Sequence, residues 1–191
     1  DIGLYNFRYE LIEELIKQNH QIFISLPYGK KVDDLIEIGC TFIETKFDRH
    51  GMNPINEIKL IYTYIKQINE IKPDAILGYT IKPNIYGAIA ARKLGVPFIA
   101  NITGLGTAVE YKSWKQFIFI NLYRFAFRDI FQVFFQNTSN RDFFLEKHII
   151  NDNFEVLPGS GVNLKKFSPK PYPKSEKIKF SFVSRIMKEK G

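Results

Sequence analysis

The chain has 191 residues, 45% hydrophobic and 25% charged, which fits one α/β-sized domain plus a fragment of another and excludes disorder. No run of about 18 residues is free of charge, so no spanning helix is expected, and one cysteine, Cys40, with three scattered histidines supplies neither a disulfide nor zinc-ligand spacing. The net charge is +7, yet the first 164 residues balance at 18 basic and 18 acidic, and residues 165–191 hold the whole excess; this distribution argues against nucleic acid as a partner.

Residues 1–5 show no signal-peptide pattern, and a reducing, cytoplasmic setting is expected. Asn6 reads as the cap of a helix carrying Phe7, Leu11, Ile12, Leu15 and Ile16 at helical spacing, ending near His20. A strand over 21–27, a short helix over 32–38 stopped by Gly39, and a strand over 41–45 follow. The long helix over 54–72 places Ile58, Ile61, Ile65 and Ile68 on one stripe, and Pro73 ends it. Strand 75–79, helix 83–94 with Gly95 as its stop, and strand 97–102 form a β-α-β unit. A third unit runs through helix 111–129, strand 131–136, helix 139–148 and strand 153–157.

Strands alternating with helices predict an α/β fold: a doubly wound, parallel, Rossmann-like sheet. Such a sheet ordinarily begins with a strand, and this chain opens on a helix, so the first strand is expected to be missing. The composition changes after Phe167. The expected division is a domain over 1–168, a proline-rich linker over 169–176, and over 177–191 the first strand, near 178–184, and start of a second domain.

Familiar phosphate motifs fail. Gly104-Leu105-Gly106 has Val109 where a dinucleotide fingerprint needs its third glycine, no Gly-Lys-Ser/Thr loop occurs, and Ser160 has no nucleophile elbow around it. What remains is four polar loops, each after a predicted strand, where open α/β sheets collect ligands. They span 78–84 (Tyr79, Thr80, Lys82, Asn84), 101–107 (Asn101, Thr103, Gly104, Gly106), 136–140 (Asn137) and 158–163 (Gly159, Ser160, Gly161). Singly each is an ordinary turn. Together, their amides and hydroxyls suit a many-hydroxyl ligand such as a sugar.

Residues 157–167, the proline linker and residues 180–191 resemble the domain junction of family 4 retaining glycosyltransferases of the GT-B fold. Residues 72–74, 80–87, 101–106 and 134–137 resemble the branch that builds capsular, O-antigen and other bacterial glycans on polyprenyl diphosphates. The resemblance implies that Arg185 and Lys190, at the spacing of the family's Gly-Arg-x-x-x-x-Lys-Gly pattern with Ser184 in place of its glycine, contact the donor diphosphate as catalytic residues. It implies that Gly3 ends a donor-phosphate loop, and that Tyr79, Thr80, Lys82, Asn84, Asn101, Thr103, Gly104 and Gly106 bind the acceptor, with Lys82 pairing with a lipid-linked diphosphate.

The implied substrates are a nucleotide-sugar and a lipid-linked saccharide, with no metal and no separate cofactor. This piece alone is expected to be inactive, because the family's nucleotide-binding domain follows the junction. Trp114, Phe117, Phe119, Tyr123 and Phe127, with Lys112, Lys115, Arg124 and Arg128, make a helix suited either to an anionic membrane surface or to the core. Two alternatives are a nucleotide-sugar 2-epimerase of similar fold and a non-catalytic glycan- or partner-binding module.

Overall fold

The alternation of apolar strand runs with amphipathic helices produces a parallel α/β arrangement, shown by a computed structural model that describes residues 2–48, 51, 53–105, 114–172 and 177–183. The chain divides into two units, Asp1–Gly161 and Val162–Gly191. In chain order the first holds α1 (Ile2–Lys17), β1 (Phe23–Leu26), α2 (Lys31–Glu37), β2 (Thr41–Glu44), α3 (Pro54–Ile71) and β3 (Ile76–Tyr79). A π-helical turn (Pro83–Gly87) then runs into α4 (Ala88–Leu94), followed by β4 (Phe98–Ile102), α5 (Trp114–Ala126), β5 (Gln132–Phe135), α6 (Thr138–Glu146) and β6 (Phe154–Val156).

The strands form two parallel sheets. β1 pairs with β2, and β3-β4-β5-β6 lie side by side in chain order, with Ile76 opposite Phe98, Ala100 opposite Val133 and Phe135 opposite Val156. Parallel neighbours in consecutive order need a helical crossover between each pair, and they bring all strand C-terminal ends to one edge. Gln67 of α3 donates to Thr45 Oγ1 (2.7 Å) and accepts from Ser25 Oγ (2.9 Å), which ties that helix to the two-stranded sheet.

Local chemistry explains the boundaries. Asn53 Oδ1 accepts from Ile55 N (3.0 Å), Pro54 occupies the first turn of α3, and the helix closes on Lys72 at φ +52° before Pro73. The buried stripe of α3 is Leu60, Tyr64 and Ile68, with Ile61 and Ile65 beside it, while Ile58 is exposed. Helix α1 is already formed from Ile2, so Asn6 lies inside it and caps nothing.

The larger core gathers around Phe144, whose ring meets those of Tyr123 and Phe135 edge-on at 5.1 and 5.2 Å. A smaller core of Ile12, Ile24, Val32, Leu35 and Cys40 sits between α1, α2 and the two-stranded sheet. In the second unit, Asn163 Oδ1 accepts from the backbone of Lys165 and Lys166 (3.1 Å each). Residues 178–183, where a strand is expected, belong to neither sheet among the described residues.

Candidate functional site

Because β3, β4, β5 and β6 are parallel and adjacent, the residues that follow them line one edge: 80–84, 103–105, 136–140 and 157–161. This edge is where a parallel sheet leaves backbone groups and loops free for a ligand. Gln136 Nε2 donates to Ser160 Oγ (3.0 Å), tying the third and fourth loops together.

The segment after β3 is the most unusual. Thr80 is exposed at φ +68°, a left-handed conformation that costs a β-branched residue about 1–2 kcal/mol, and the helix that follows begins with the π-helical turn. Asn84, 1% exposed, donates from Nδ2 to the backbone oxygen of Asn101 (3.1 Å), and its Oδ1 is sealed without a partner. Gly78 makes room for it: a Cβ there would stand 2.5 Å from Asn84 Oδ1 and 2.4 Å from the Phe98 ring. Asn84 therefore clamps the start of its helix to β4, and its side chain points into the protein.

Lys82 is likewise committed. Its ammonium donates to Glu57 Oε1 of α3 (2.5 Å) and to the Gly51 carbonyl (2.7 Å). Glu57 also faces Tyr86, whose hydroxyl is pushed well above its ordinary range by burial and, secondarily, by the Glu57 charge. The expected pairing of Lys82 with a substrate diphosphate would have to break this internal ion pair.

The other expected contacts divide by exposure. Thr80, Thr103, Gly104, Ser160 and Gly161 are exposed, Tyr79 and Gly159 half-buried, and Asn101 buried with an unpartnered Oδ1. Asn137 is spent locally, capping α6 by accepting from Asn140 N (2.8 Å). Gly159 and Gly161 have φ of +89° and +73°, so glycine is required by the turn itself. Gly3 lies exposed in the first turn of α1. Gly106, Arg185 and Lys190 lie outside the described residues.

One group at this edge carries no motif. Arg8 of α1, 8% exposed, lays its guanidinium over the Tyr79 ring, 4.8 Å from the centroid, and donates to the Phe7 carbonyl (2.9 Å). Burial raises the Tyr79 hydroxyl, and the neighbouring Arg8 charge opposes that rise. In the sequence Arg8 stands among mixed residues of an amphipathic helix and reads as a surface cation.

Helix α5 resolves into two faces. Phe119 and Tyr123, with Phe127 just beyond the helix, enter the core, whereas Trp114 (67%), Phe117 (70%) and Phe125 point outward. Among the described residues no helix is long and apolar enough to cross a membrane.

Residues 4–137 match the family described as glycosyl transferase 4-like. The chain is 28% identical over 180 residues to the N,N'-diacetylbacillosaminyl-diphospho-undecaprenol alpha-1,3-N-acetylgalactosaminyltransferase of Campylobacter jejuni, covering 92% of this chain and 48% of that protein. The chain thus spans about half the length of the curated relative it matches. Among solved structures, a glycosyltransferase from Rickettsia africae superposes with a TM-score of 0.63 at 16% identity, over 87% of this chain and 41% of its own. Anabaena HepE in complex with UDP and glucose superposes at 0.61 and 15% identity, over 84% and 42%. The likeness to these structures shows the fold.

Proposed function

Because this chain belongs to the glycosyl transferase 4-like family, we propose that the whole protein moves a hexose-type sugar, with retention, from a nucleotide-sugar to a saccharide carried on a polyprenyl diphosphate, in bacterial surface-glycan synthesis. The observation that carries this reading is the 28% identity, across 92% of the chain, to a transferase whose named substrate is a diphospho-undecaprenol saccharide. The edge formed after β3 to β6 supports it by offering hydroxyl and amide groups from four loops along one line. These are the groups that orient a sugar.

The chemistry asks for cations at the leaving diphosphate and for oriented donors at the acceptor. Arg185 and Lys190 serve the first need: a guanidinium forks two phosphate oxygens, an ammonium adds a point charge, and both strengthen as the phosphate bond breaks. Gly3, in the first turn of α1, has backbone N–H groups suited to a phosphate. Tyr79, Thr80, Asn101, Thr103, Gly104 and Gly106 serve the second. Lys82 and Asn84 act from behind, holding the β3 end and the π-helical turn in place. The nucleotide-sugar is a substrate, and no separate cofactor or metal is assigned.

Acceptors of this kind reside in membranes, and the outer face of α5 is the surface we assign to that contact, peripheral and on the cytoplasmic leaflet. Trp114, Phe117 and Phe125 are exposed there, and residues 111–128, between Glu110 and Asp129, contain Lys112, Lys115, Arg124 and Arg128, of which Arg124 donates to the Lys147 carbonyl (2.8 and 2.6 Å). Exposed aromatics with one sign of charge fit an anionic bilayer surface. An epimerase would draw on carboxylates and a histidine in the cleft loops, and segments 78–84, 101–107, 136–140 and 158–163 contain neither.

The test uses the full-length protein with labelled nucleotide-sugars and a polyprenyl diphosphate-linked saccharide. Transfer with the donor's anomeric configuration kept in the product supports the reading. Exchange of the C2 proton without transfer, or binding without turnover, overturns it.

A further inference from the structure

A buried guanidinium without a counter-anion is an expensive arrangement, because the desolvation of the charge is recovered only by pairing. Arg8 is in that position. No carboxylate lies within ion-pair distance of it among the described residues, and its neighbours are the Phe7 carbonyl and the Tyr79 ring. An aromatic face returns only part of the lost hydration. A guanidinium has five N–H donors, of which the Phe7 carbonyl takes one and the Tyr79 hydroxyl another. The other donors have no acceptor among the described residues.

The position is as telling as the lack of a partner. Tyr79 is the last residue of β3, so Arg8 reaches the ligand edge of the four-stranded sheet from a different helix. Thr80, next in the chain, is exposed and held at φ +68°. The nearby cation named by sequence, Lys82, is neutralised by Glu57. Among the described residues, Arg8 thus carries a positive charge with no counter-anion at the end of β3.

We infer that Arg8 holds a phosphate oxyanion of a substrate at the C-terminal end of β3, with the Tyr79 ring fixing the plane of its guanidinium. This rests on the transferase reading, which supplies two diphosphates of the same chemistry, one on the nucleotide-sugar and one on the lipid-linked acceptor. Charge-assisted, forked hydrogen bonds from a largely desolvated guanidinium are strong enough to set affinity for either.

The experiment compares full-length wild type with Arg8→Met and Arg8→Lys by calorimetric titration with UDP, GDP and farnesyl diphosphate, alongside thermal midpoints. Arg8→Met is expected to weaken a diphosphate probe roughly 10- to 100-fold, with Arg8→Lys in between. Loss confined to the nucleotides assigns the donor's diphosphate, and loss confined to farnesyl diphosphate assigns the acceptor's. The Arg8→Met midpoint is expected to hold or rise, since an apolar side chain removes an uncompensated charge. Unchanged affinity for every probe that wild type binds overturns the inference and leaves the transferase reading standing. An Arg8→Met protein that does not fold, with Arg8→Lys binding as wild type, also overturns it by making Arg8 structural. A wild type that binds none of the probes overturns both.

Discussion

The ammonium of Lys82 stands 2.5 Å from Glu57 Oε1, with only 14% and 13% of the two side chains exposed. Removing one member of such a pair leaves the other charge stranded in low dielectric, a loss of about 3 kcal/mol, whereas replacing both with apolar groups of similar size is often close to neutral. Glu57→Leu and Lys82→Met are each expected to destabilise the protein by about that amount, and the double variant to recover most of it. Urea unfolding of the singles and the double measures this. Additive losses in the double would show that the two groups do not act as a pair.

Gly78 and Gly104 both lie near the candidate edge and are opposite in tolerance. A Cβ at Gly78 meets the Phe98 ring at 2.4 Å and Asn84 Oδ1 at 2.5 Å, while one at Gly104 meets nothing within 4 Å. Overpacking of this kind costs about 1–3 kcal/mol. Gly78→Ala is expected to lower the thermal midpoint clearly and to loosen the Asn84 clamp on β4, and Gly104→Ala to leave the midpoint unchanged. Equal midpoints for the two variants would contradict the packing described for Gly78.

The elements were legible in the sequence where local chemistry decides them. Asn53-Pro54 at the start of α3, Pro73 after its end and the Gly95 stop after α4 act within a few residues of themselves. Residues 103–105 and 157–161 were legible as loops for the same reason, since turn residues betray turns, whereas much of 78–84 and 136–140 belongs to β3, the π-helical turn and α6. The roles of individual side chains were not. Lys82 reads as a free cation until α3 brings Glu57 against it, and Asn84 reads as a ligand contact until Gly78 opens a space for it. Arg8 is the converse: it belongs to the edge only because α1 packs its second turn on Tyr79. Such pairings depend on which faces of distant elements meet, and periodicity alone does not fix them. The expected single sheet, divided here into β1-β2 and β3 to β6, is the same kind of long-range property.

Cys40, 5% exposed in the smaller core, is expected to be slow to react with thiol reagents in the native protein and fast after unfolding. Burial raises its thiol above the ordinary 9.0, so the folded state favours the neutral form. The sign of the linkage follows: the contribution is fully present below pH 9.0, where folded and unfolded thiols are both protonated, and is lost as pH rises through the folded value. Thiol-labelling rates at pH 8 with and without urea, and unfolding midpoints between pH 8 and 10.5, check both halves. Rapid native-state labelling would place Cys40 outside the core.

Phe144 and Phe117 separate what holds the fold from what faces outward. Phe144 is fully buried against Tyr123, Phe127 and Phe135, and truncating such a ring costs about 3–5 kcal/mol in lost transfer energy and residual cavity. Phe117 is largely exposed on α5, where substitutions stay within about 0.5 kcal/mol. In the full-length protein Phe144→Ala is therefore expected to lower stability sharply. Phe117→Ala, and Trp114→Ala with it, is expected to keep stability and reduce co-sedimentation with vesicles containing anionic lipid. The reduction should shrink as salt is raised, because the electrostatic share of the binding is screened over about a nanometre. If the Phe117 and Trp114 variants bind vesicles as wild type does, the outer face of α5 is not the membrane-contacting surface, and its aromatic residues serve another contact.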